Sequence, residues 1–102
     1  MPKPACTLKS NANQLQNTVD FLKVISDANR LRIICLLNQH EHCVCELMAL
    51  LDLPQNLASH HLSVLRKGGI VSSRKLGLKT YYTIQPEVLQ RHLNIINKNW
   101  GK

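Results

Sequence analysis

The residues of this 102-residue sequence best suited to chemistry are Cys43 and Cys45, which stand two positions apart in the segment HCVCEL. Thiolates are soft ligands that bind thiophilic ions such as Cd(II), Zn(II), Pb(II), As(III) and Sb(III) much better than carboxylates do. Residues i and i+2 point about 200° apart on a regular helix, so both sulfur atoms can reach one ion only where a helix starts or is distorted. The pair therefore predicts either an ion site at a helix start or a redox switch built from reactive thiols.

A helix with two different faces is predicted over residues 53–67, LPQNLASHHLSVLRK. One stripe recurs at the spacing of a helix that packs into a core and consists of Leu57, Ala58, His61, Leu62 and Leu65. The other face carries hydrogen-bonding side chains that suit base edges in a DNA major groove, namely Gln55, Asn56, Ser59, His60 and Ser63. Many surface helices have a polar face and no ligand, so the neighbouring elements must decide between these interpretations.

Three further helices are predicted before this one. The first covers residues 13–26, the second begins at the capping residue Asp27, and the third covers residues 43–51. A tight turn over residues 52–54 joins the third helix to the two-faced helix. Two helices joined by about three residues, the second polar on one side, form a helix-turn-helix.

Two short extended runs follow, residues 70–74 and 80–84, joined by a turn that contains Gly77. Basic side chains lie near the tip of this hairpin, where they can neutralise phosphates while the two-faced helix lies in the major groove: Arg74, Lys75 and Lys79. A helix-turn-helix followed at once by such a hairpin is a winged helix. The expected fold is therefore mainly α with a small β-hairpin, in the order α-α-α-α-β-β-α.

A single domain over residues 13–100 is expected, because the chain is long enough for one modest core. Residues 1–12 contain two prolines and little periodicity, which predicts a flexible N-terminal arm carrying Cys6. In the last helix, which Pro86 opens, apolar residues repeat at helical spacing: Leu89, Leu93, Ile96 and Trp100. This seam either meets a partner or folds back on the core of its own chain.

The charge balance favours a polyanionic partner, since thirteen Lys and Arg against six Asp and Glu give a net charge of +7. Arg30 and Arg32 either contact phosphates or form a solvated helix face. No apolar run approaches the length of a membrane span and the N-terminus lacks a signal peptide, so we expect a cytoplasmic protein with no membrane partner. An enzymatic thiol–disulfide role is not expected, because the CxxC motif and its βαβ surroundings are missing.

The order of these elements resembles the metal-sensing bacterial repressors of the ArsR/SmtB type. The resemblance is carried by the stretches FLKVISDANRLRIICLL, HCVCELMALLDLPQNLASHHLSVLRKGGIV and SRKLGLKTYYTI. It implies a homodimer formed through the first and last helices, bound to double-stranded operator DNA of two-fold symmetry and released by an inducer. Gln55, Asn56, Ser59 and His60 align with the base-reading face of the family, although His60 stands where an arginine is often found.

The resemblance also bears on the donor set of the ion site. In arsenic-responsive members a third cysteine commonly stands where this sequence has Met48, which we expect to belong to the core. Cadmium- and lead-responsive members bring a cysteine from an N-terminal arm, which favours Cys6 as the third ligand beside Cys43 and Cys45. The segment after Cys6 can span about 20 Å, since an extended residue covers roughly 3.3–3.6 Å.

The inducer expected from this donor set is As(III), Sb(III), Cd(II), Pb(II) or Zn(II), and DNA binding itself should need no cofactor. A repressor switched by oxidation of Cys43 and Cys45 is the alternative, and a protein-binding module without DNA affinity is a third. Cys35 lies in an apolar run and is expected to be buried. We expect His42 to be a surface residue at a helix start rather than a fourth ligand.

Overall fold

Helices dominate the computed structural model, which describes residues 12–100. The elements follow the chain as α1 Ala12–Ile25, α2 Ala28–Gln39, β1 His42–Cys43, α3 Val44–Leu51, α4 Gln55–Lys67, β2 Val71–Leu76, β3 Lys79–Ile84 and α5 Pro86–Trp100. This order confirms the predicted mainly α fold with a β-hairpin. The arm predicted over residues 1–12 lies outside the described residues, apart from Ala12 at the start of α1. None of the helices within the described range is long and apolar enough to cross a membrane.

Strands β2 and β3 form the predicted hairpin, which we call the wing. They pair from Val71 opposite Ile84 to Leu76 opposite Lys79, so both strands reach closer to the turn than the sequence predicted. Gly77 opens the two-residue turn with φ of +65°. A glycine suits this position because a type II′ hairpin turn needs a positive φ at its first central residue.

A third strand, β1, pairs antiparallel with β3 and was not predicted. It contains His42, which pairs with Tyr82, and Cys43, which pairs with Tyr81. A strand of two residues is too short to show the alternation of a half-buried strand, so hydrophobic periodicity could not reveal it. As a consequence Cys43, which we predicted to begin the third helix, lies at the end of a strand instead.

The core lies where α1, α2, α3 and α4 meet the base of the wing. Its buried apolar side chains are Phe21, Ile33, Leu37, Leu47, Leu62, Leu65, Ile70 and Val71. Truncating one of the fully buried leucines of such a core to alanine costs about 2–5 kcal/mol. Because α3 contributes Leu47 and α4 contributes Leu62 and Leu65, these two helices are held in place by the same core.

The connection between α3 and α4 is as short as the sequence predicted. Asp52 ends α3 in the left-handed conformation, with φ of +53°. The backbone N–H groups of Asp52 and Leu53 both donate to the carbonyl oxygen of Met48, the latter over 3.0 Å. Pro54 is the N-cap residue of α4. The orientation of α4 relative to α3 therefore depends on this three-residue turn.

Candidate functional site

Cys43 occupies the junction between β1 and α3. Its side chain is buried, with 2% of the residue exposed, and its extended backbone makes it the N-cap residue of α3. The Glu46 carboxylate accepts a hydrogen bond of 2.9 Å from the Cys43 backbone N–H. This hydrogen bond is the main cause that lowers the pKa of Glu46 below its ordinary value. The carboxylate therefore holds the first turn of α3 against the end of the strand.

Cys45, by contrast, is exposed on the first turn of α3. Because Cys43 has extended rather than helical backbone, the separation of about 200° that a regular helix would impose does not apply to this pair. Both cysteines instead line one cavity of about 290 Å³. The two residues thus border the same space, and two thiols on one cavity match the donor chemistry of a thiophilic ion.

The other walls of this cavity come from two elements that were not expected beside the cysteines. We call it the sulfur cavity, and its lining consists of Cys43, Val44, Cys45, Met48, Gln55, Leu78, Lys79 and Thr80. Gln55 is the first residue of α4, and the last three residues belong to the tip of the wing. A ligand in the sulfur cavity would therefore contact α3, the start of α4 and the wing at once.

The remaining candidate ligands stand apart from the sulfur cavity. Cys6 lies outside the described residues. Cys35 is exposed on α2, so the expectation that it is buried was wrong; it lies outside the stripe of α2 that faces the core. Between residues 12 and 100, no three His, Cys, Asp or Glu side chains are grouped so that they could hold a metal ion.

His42 is buried, which corrects the expectation of a surface residue. Only 5% of it is exposed, and neither ring nitrogen has a hydrogen-bond partner among the described residues. Its Nδ1 atom lies 3.7 Å from a carboxylate oxygen of Glu46, and its ring lies 4.3 Å from that of His40 between centroids. It does not line the sulfur cavity.

Helix α4 presents the two faces that its sequence predicted. Ala58, His61, Leu62 and Leu65 are buried, whereas the exposed polar residues are Gln55, Asn56, Ser59 and His60. Ser63 is half-buried at the edge of this polar face. Leu57, which we assigned to the core, is 42% exposed because it lies at one edge of the buried stripe, about 100° around the helix from Ala58. The proposed base-reading face is therefore accessible.

The buried side of α4 is tied to the start of α2 by Arg30. Its Nη1 atom lies 3.2 Å from Nδ1 of His61, and its Nε–H and Nη2–H groups donate to the carbonyl oxygens of Val24 and Lys23. An arginine has no acceptor atom, so Nδ1 of His61 must accept this hydrogen bond. Arg30 therefore stabilises the packing of three helices instead of forming a solvated face, while Arg32 is exposed and bonds Asn29.

The three basic residues assigned to the wing differ in their partners. Arg74 lies on β2 away from the tip and forms a two-point ion pair with Glu41, with Nη2–Oε1 and Nε–Oε2 distances of 2.6 and 3.2 Å. This pair raises the pKa of Arg74 and lowers that of Glu41. Lys75 and Lys79 are exposed beside the turn and have no acidic partner among residues 12–100.

Sequence reasoning missed Glu41, which restrains Arg74, and Gln55, Leu78 and Thr80 as walls of the sulfur cavity. Glu41 lies 33 positions from Arg74, so no local pattern indicates their contact. Glu46 could have been found, because a glutamate three residues after an N-cap residue is the spacing of a capping box.

The helix-turn-helix of α3 and α4, followed directly by the wing, defines the class of winged-helix DNA-binding proteins. The sequence matches the family model described as "Bacterial regulatory protein, arsR family" over residues 27–73. It is 35% identical over 83 residues to the arsenical resistance operon repressor of Escherichia coli, covering 80% of this chain and 71% of that protein. The chain belongs to the ArsR family of bacterial regulatory proteins.

Other relatives agree with this assignment. The cadmium resistance transcriptional regulatory protein CadC of Listeria innocua is 42% identical over 66 residues, which cover 64% of this chain but only 56% of that protein. The solved structure of reduced HlyU from Vibrio cholerae superimposes with a TM-score of 0.70 at 30% identity, covering 93% of this chain and 97% of the other. By their names these relatives are regulators of transcription, which agrees with the family assignment.

Proposed function

We propose that this chain is a transcriptional repressor that binds operator DNA as a homodimer and is released when a thiophilic ion binds Cys43 and Cys45. The observation that carries the proposal is the sulfur cavity, since its walls include both cysteines, the first residue of α4 and the wing. The named functions of the relatives, cadmium resistance regulation and repression of an arsenical resistance operon, support an inducer of this kind.

The DNA-binding surface consists of α4 and the wing. Gln55, Asn56, Ser59, His60 and Ser63 are proposed to meet base edges in the major groove, where amide and hydroxyl groups can read the donor and acceptor pattern. Lys75 and Lys79 contact phosphates beside that groove. Arg74 contributes less than either lysine, because its guanidinium is held in an ion pair with Glu41.

Dimerisation is proposed through α1 and α5. These helices pack on each other through Phe21 and His92, whose stacked rings lie 4.3 Å apart between centroids. Leu15 of α1 and Leu93 of α5 are each more than 40% exposed, so apolar surface is left for a second copy to cover. A two-fold dimer would place its two α4 helices in successive major grooves of an operator with matching symmetry.

The inducer site is proposed at Cys43 and Cys45, with Cys6 as a third ligand for ions that need more donors. Soft sulfur donors select As(III), Sb(III), Cd(II), Pb(II) or Zn(II) over hard cations. Each thiol releases its proton to solvent when it becomes a ligand. Drawing the exposed Cys45 toward the buried Cys43 would change the first turn of α3 and the cavity walls that Gln55 and Lys79 form. The conformation that binds DNA then becomes less populated, because the ion stabilises a different conformation of the protein.

Metal titration of the reduced protein tests this proposal. Thiolate-to-metal charge-transfer absorbance should appear on addition of Cd(II) or As(III), and operator binding followed by fluorescence anisotropy should fall over the same range of ion concentration. Cys43→Ser should keep its DNA affinity and lose its response to the ion. Cys35→Ser is the matched control, because it removes an exposed thiol outside the sulfur cavity.

A redox-responsive repressor is the second candidate, and the exposed position of Cys45 favours it because an oxidant can reach this thiol. The same titration separates the two functions. If no charge-transfer absorbance appeared and operator binding were lost only after oxidation, the ion-responsive function would be wrong.

A further inference from the structure

We infer that Met48 supplies a third sulfur ligand and that the sulfur cavity binds a soft monovalent ion of the copper(I) and silver(I) class. This inference rests on the proposed function, because it gives Cys43 and Cys45 an ion-binding role, and it adds the class of ion that the described part of the chain can hold. It uses no residue outside the described range.

The geometry of α3 places Met48 with the two cysteines. Cys45 and Met48 are three residues apart on the helix and therefore lie on one face. Both line the sulfur cavity together with Cys43, the N-cap residue. We expected Met48 to belong to the core, but it is half-buried and borders the cavity. Its flexible side chain and polarisable thioether allow the sulfur to adapt to a ligand.

The coordination chemistry of the available donors favours a monovalent ion. A site of two thiolates and one thioether suits Cu(I), because soft sulfur donors select it and it accepts few ligands. Zn(II) usually takes four ligands from cysteine, histidine or carboxylate side chains. Residues 12–100 bring no third side chain of those types to the cavity. The described donors therefore complete a site for the monovalent class but not for the divalent one.

The charge of the cavity wall agrees with this choice. Two thiolates and one monovalent cation leave a net charge of −1, whereas two thiolates and one divalent cation leave none. Lys79 lines the cavity and has no acidic partner among the described residues. Its ammonium group can offset the remaining negative charge of the monovalent complex. The same group is our proposed phosphate ligand, so an occupied cavity would draw it away from DNA.

Met48 is also connected directly to the turn that precedes α4. Its carbonyl oxygen accepts hydrogen bonds from the N–H groups of Asp52 and Leu53. A displacement of Met48 caused by ligation of its sulfur would therefore reach the turn on which the orientation of α4 depends. Binding through Met48 thus provides a route from the ion to the base-reading face.

The test compares Cu(I) and Cd(II) affinities of the reduced full-length protein with those of Met48→Leu. Leucine has nearly the volume of methionine, so the cavity wall should persist. Each ion is titrated without oxygen against a chromophoric chelator, and X-ray absorption at the copper edge counts the sulfur ligands. Cys35→Ser is the matched control for loss of a sulfur atom elsewhere on the surface.

We expect Met48→Leu to weaken Cu(I) binding by about tenfold or more. Replacing a residue that only orients a metal ligand already lowers metal affinity by about tenfold, and loss of a ligand should cost at least as much. The Cd(II) affinity of this variant should change little, and the copper-bound sulfur count should fall from three to two. Equal Cu(I) affinity in the two proteins, equal losses for both ions, or a wild type that binds Cd(II) but not Cu(I) would overturn the inference and leave the proposed function standing. A wild type that binds no thiophilic ion would overturn both.

Discussion

Operator binding should become much less dependent on salt when the two free lysines of the wing are replaced. Lys75→Gln/Lys79→Gln removes the cations that lack an acidic partner within residues 12–100 and leaves the Arg74–Glu41 ion pair intact. In the proposed dimer, which carries each lysine twice, this variant would lose four phosphate contacts. Each contact contributes about 0.9 to the slope of log K against log salt concentration, so the slope should flatten by about 3.6.

The assay is fluorescence anisotropy of a labelled promoter duplex and of an unrelated duplex, each at several salt concentrations. Raising the salt concentration from about 50 to 200 mM should therefore weaken DNA binding by the wild type about two orders of magnitude more than DNA binding by the variant. Both duplexes should be affected alike, because phosphate contacts carry no sequence information.

Lys23→Gln/Lys98→Gln provides the matched control. It changes the net charge by the same amount through exposed side chains of α1 and α5, and sedimentation must show that its oligomeric state is unchanged, because these helices form the proposed dimer interface. Should the wing variant keep the wild-type slope, or flatten it no more than this control does, the wing lysines are not phosphate ligands. A change confined to sequence preference would show that the roles assigned to the wing and α4 are reversed.

Three further predictions concern single residues. Glu41→Gln should raise DNA affinity at low salt, because it releases the Arg74 guanidinium from its ion pair; anisotropy at low and high salt measures this. Glu46→Gln should lower the free energy of unfolding at neutral pH, since the depressed pKa of Glu46 means that its ionised form stabilises the folded chain. This contribution is present above the ordinary glutamate pKa and disappears as the pH falls through the lowered value, so urea denaturation should show the two proteins converging in acid. Asn56→Ala should cost about 1–3 kcal/mol at one base pair of the operator and relax the preference there, as measured by binding to single-base-pair operator variants.

Each of these predictions has an outcome that would contradict it. Unchanged affinity of Glu41→Gln would mean that Arg74 does not approach DNA even when it is released. A stability difference for Glu46→Gln that persisted in acid would show that the carboxylate charge is not the stabilising feature. A uniform loss of affinity by Asn56→Ala across all duplexes would assign Asn56 to the DNA backbone.

Hydrophobic periodicity accounts for most of the agreement between sequence and fold. It located five helices and the hairpin, because each has a face whose burial imposes a regular spacing. Leu57 shows the limit of this signal. Its spacing fits the buried stripe of α4, yet it lies at one edge of that stripe and is 42% exposed, whereas Ala58 in the same turn is buried. Periodicity identifies a face but does not show how far around the helix the neighbouring elements cover it.

The sequence indicated candidate donor atoms for the site, whereas the residues that surround them could not be predicted. The spacing of Cys43 and Cys45 lets both sulfur atoms reach one ion only where a helix starts or is distorted, and the structure ends β1 at Cys43 and begins α3 at Val44. The walls contributed by Gln55 and Lys79 come from parts of the chain that only the packing of α4 and the wing brings together. Contacts between distant segments leave no local pattern in a single sequence.

The pairing of β1 with β3 makes the connection between Cys43 and the wing independent of the set of donor atoms in the sulfur cavity. Cys43 lies opposite Tyr81 of the wing in the antiparallel pairing of β1 with β3, and this backbone pairing does not depend on the identity of either side chain. Substitutions at Cys45 or Met48 would alter the set of donor atoms without changing the backbone pairing of β1 with β3. Under the proposed function, point substitutions during evolution could thus change the ion that acts as inducer. The backbone connection between the ion site and the wing, through which the ion changes DNA binding, would be kept.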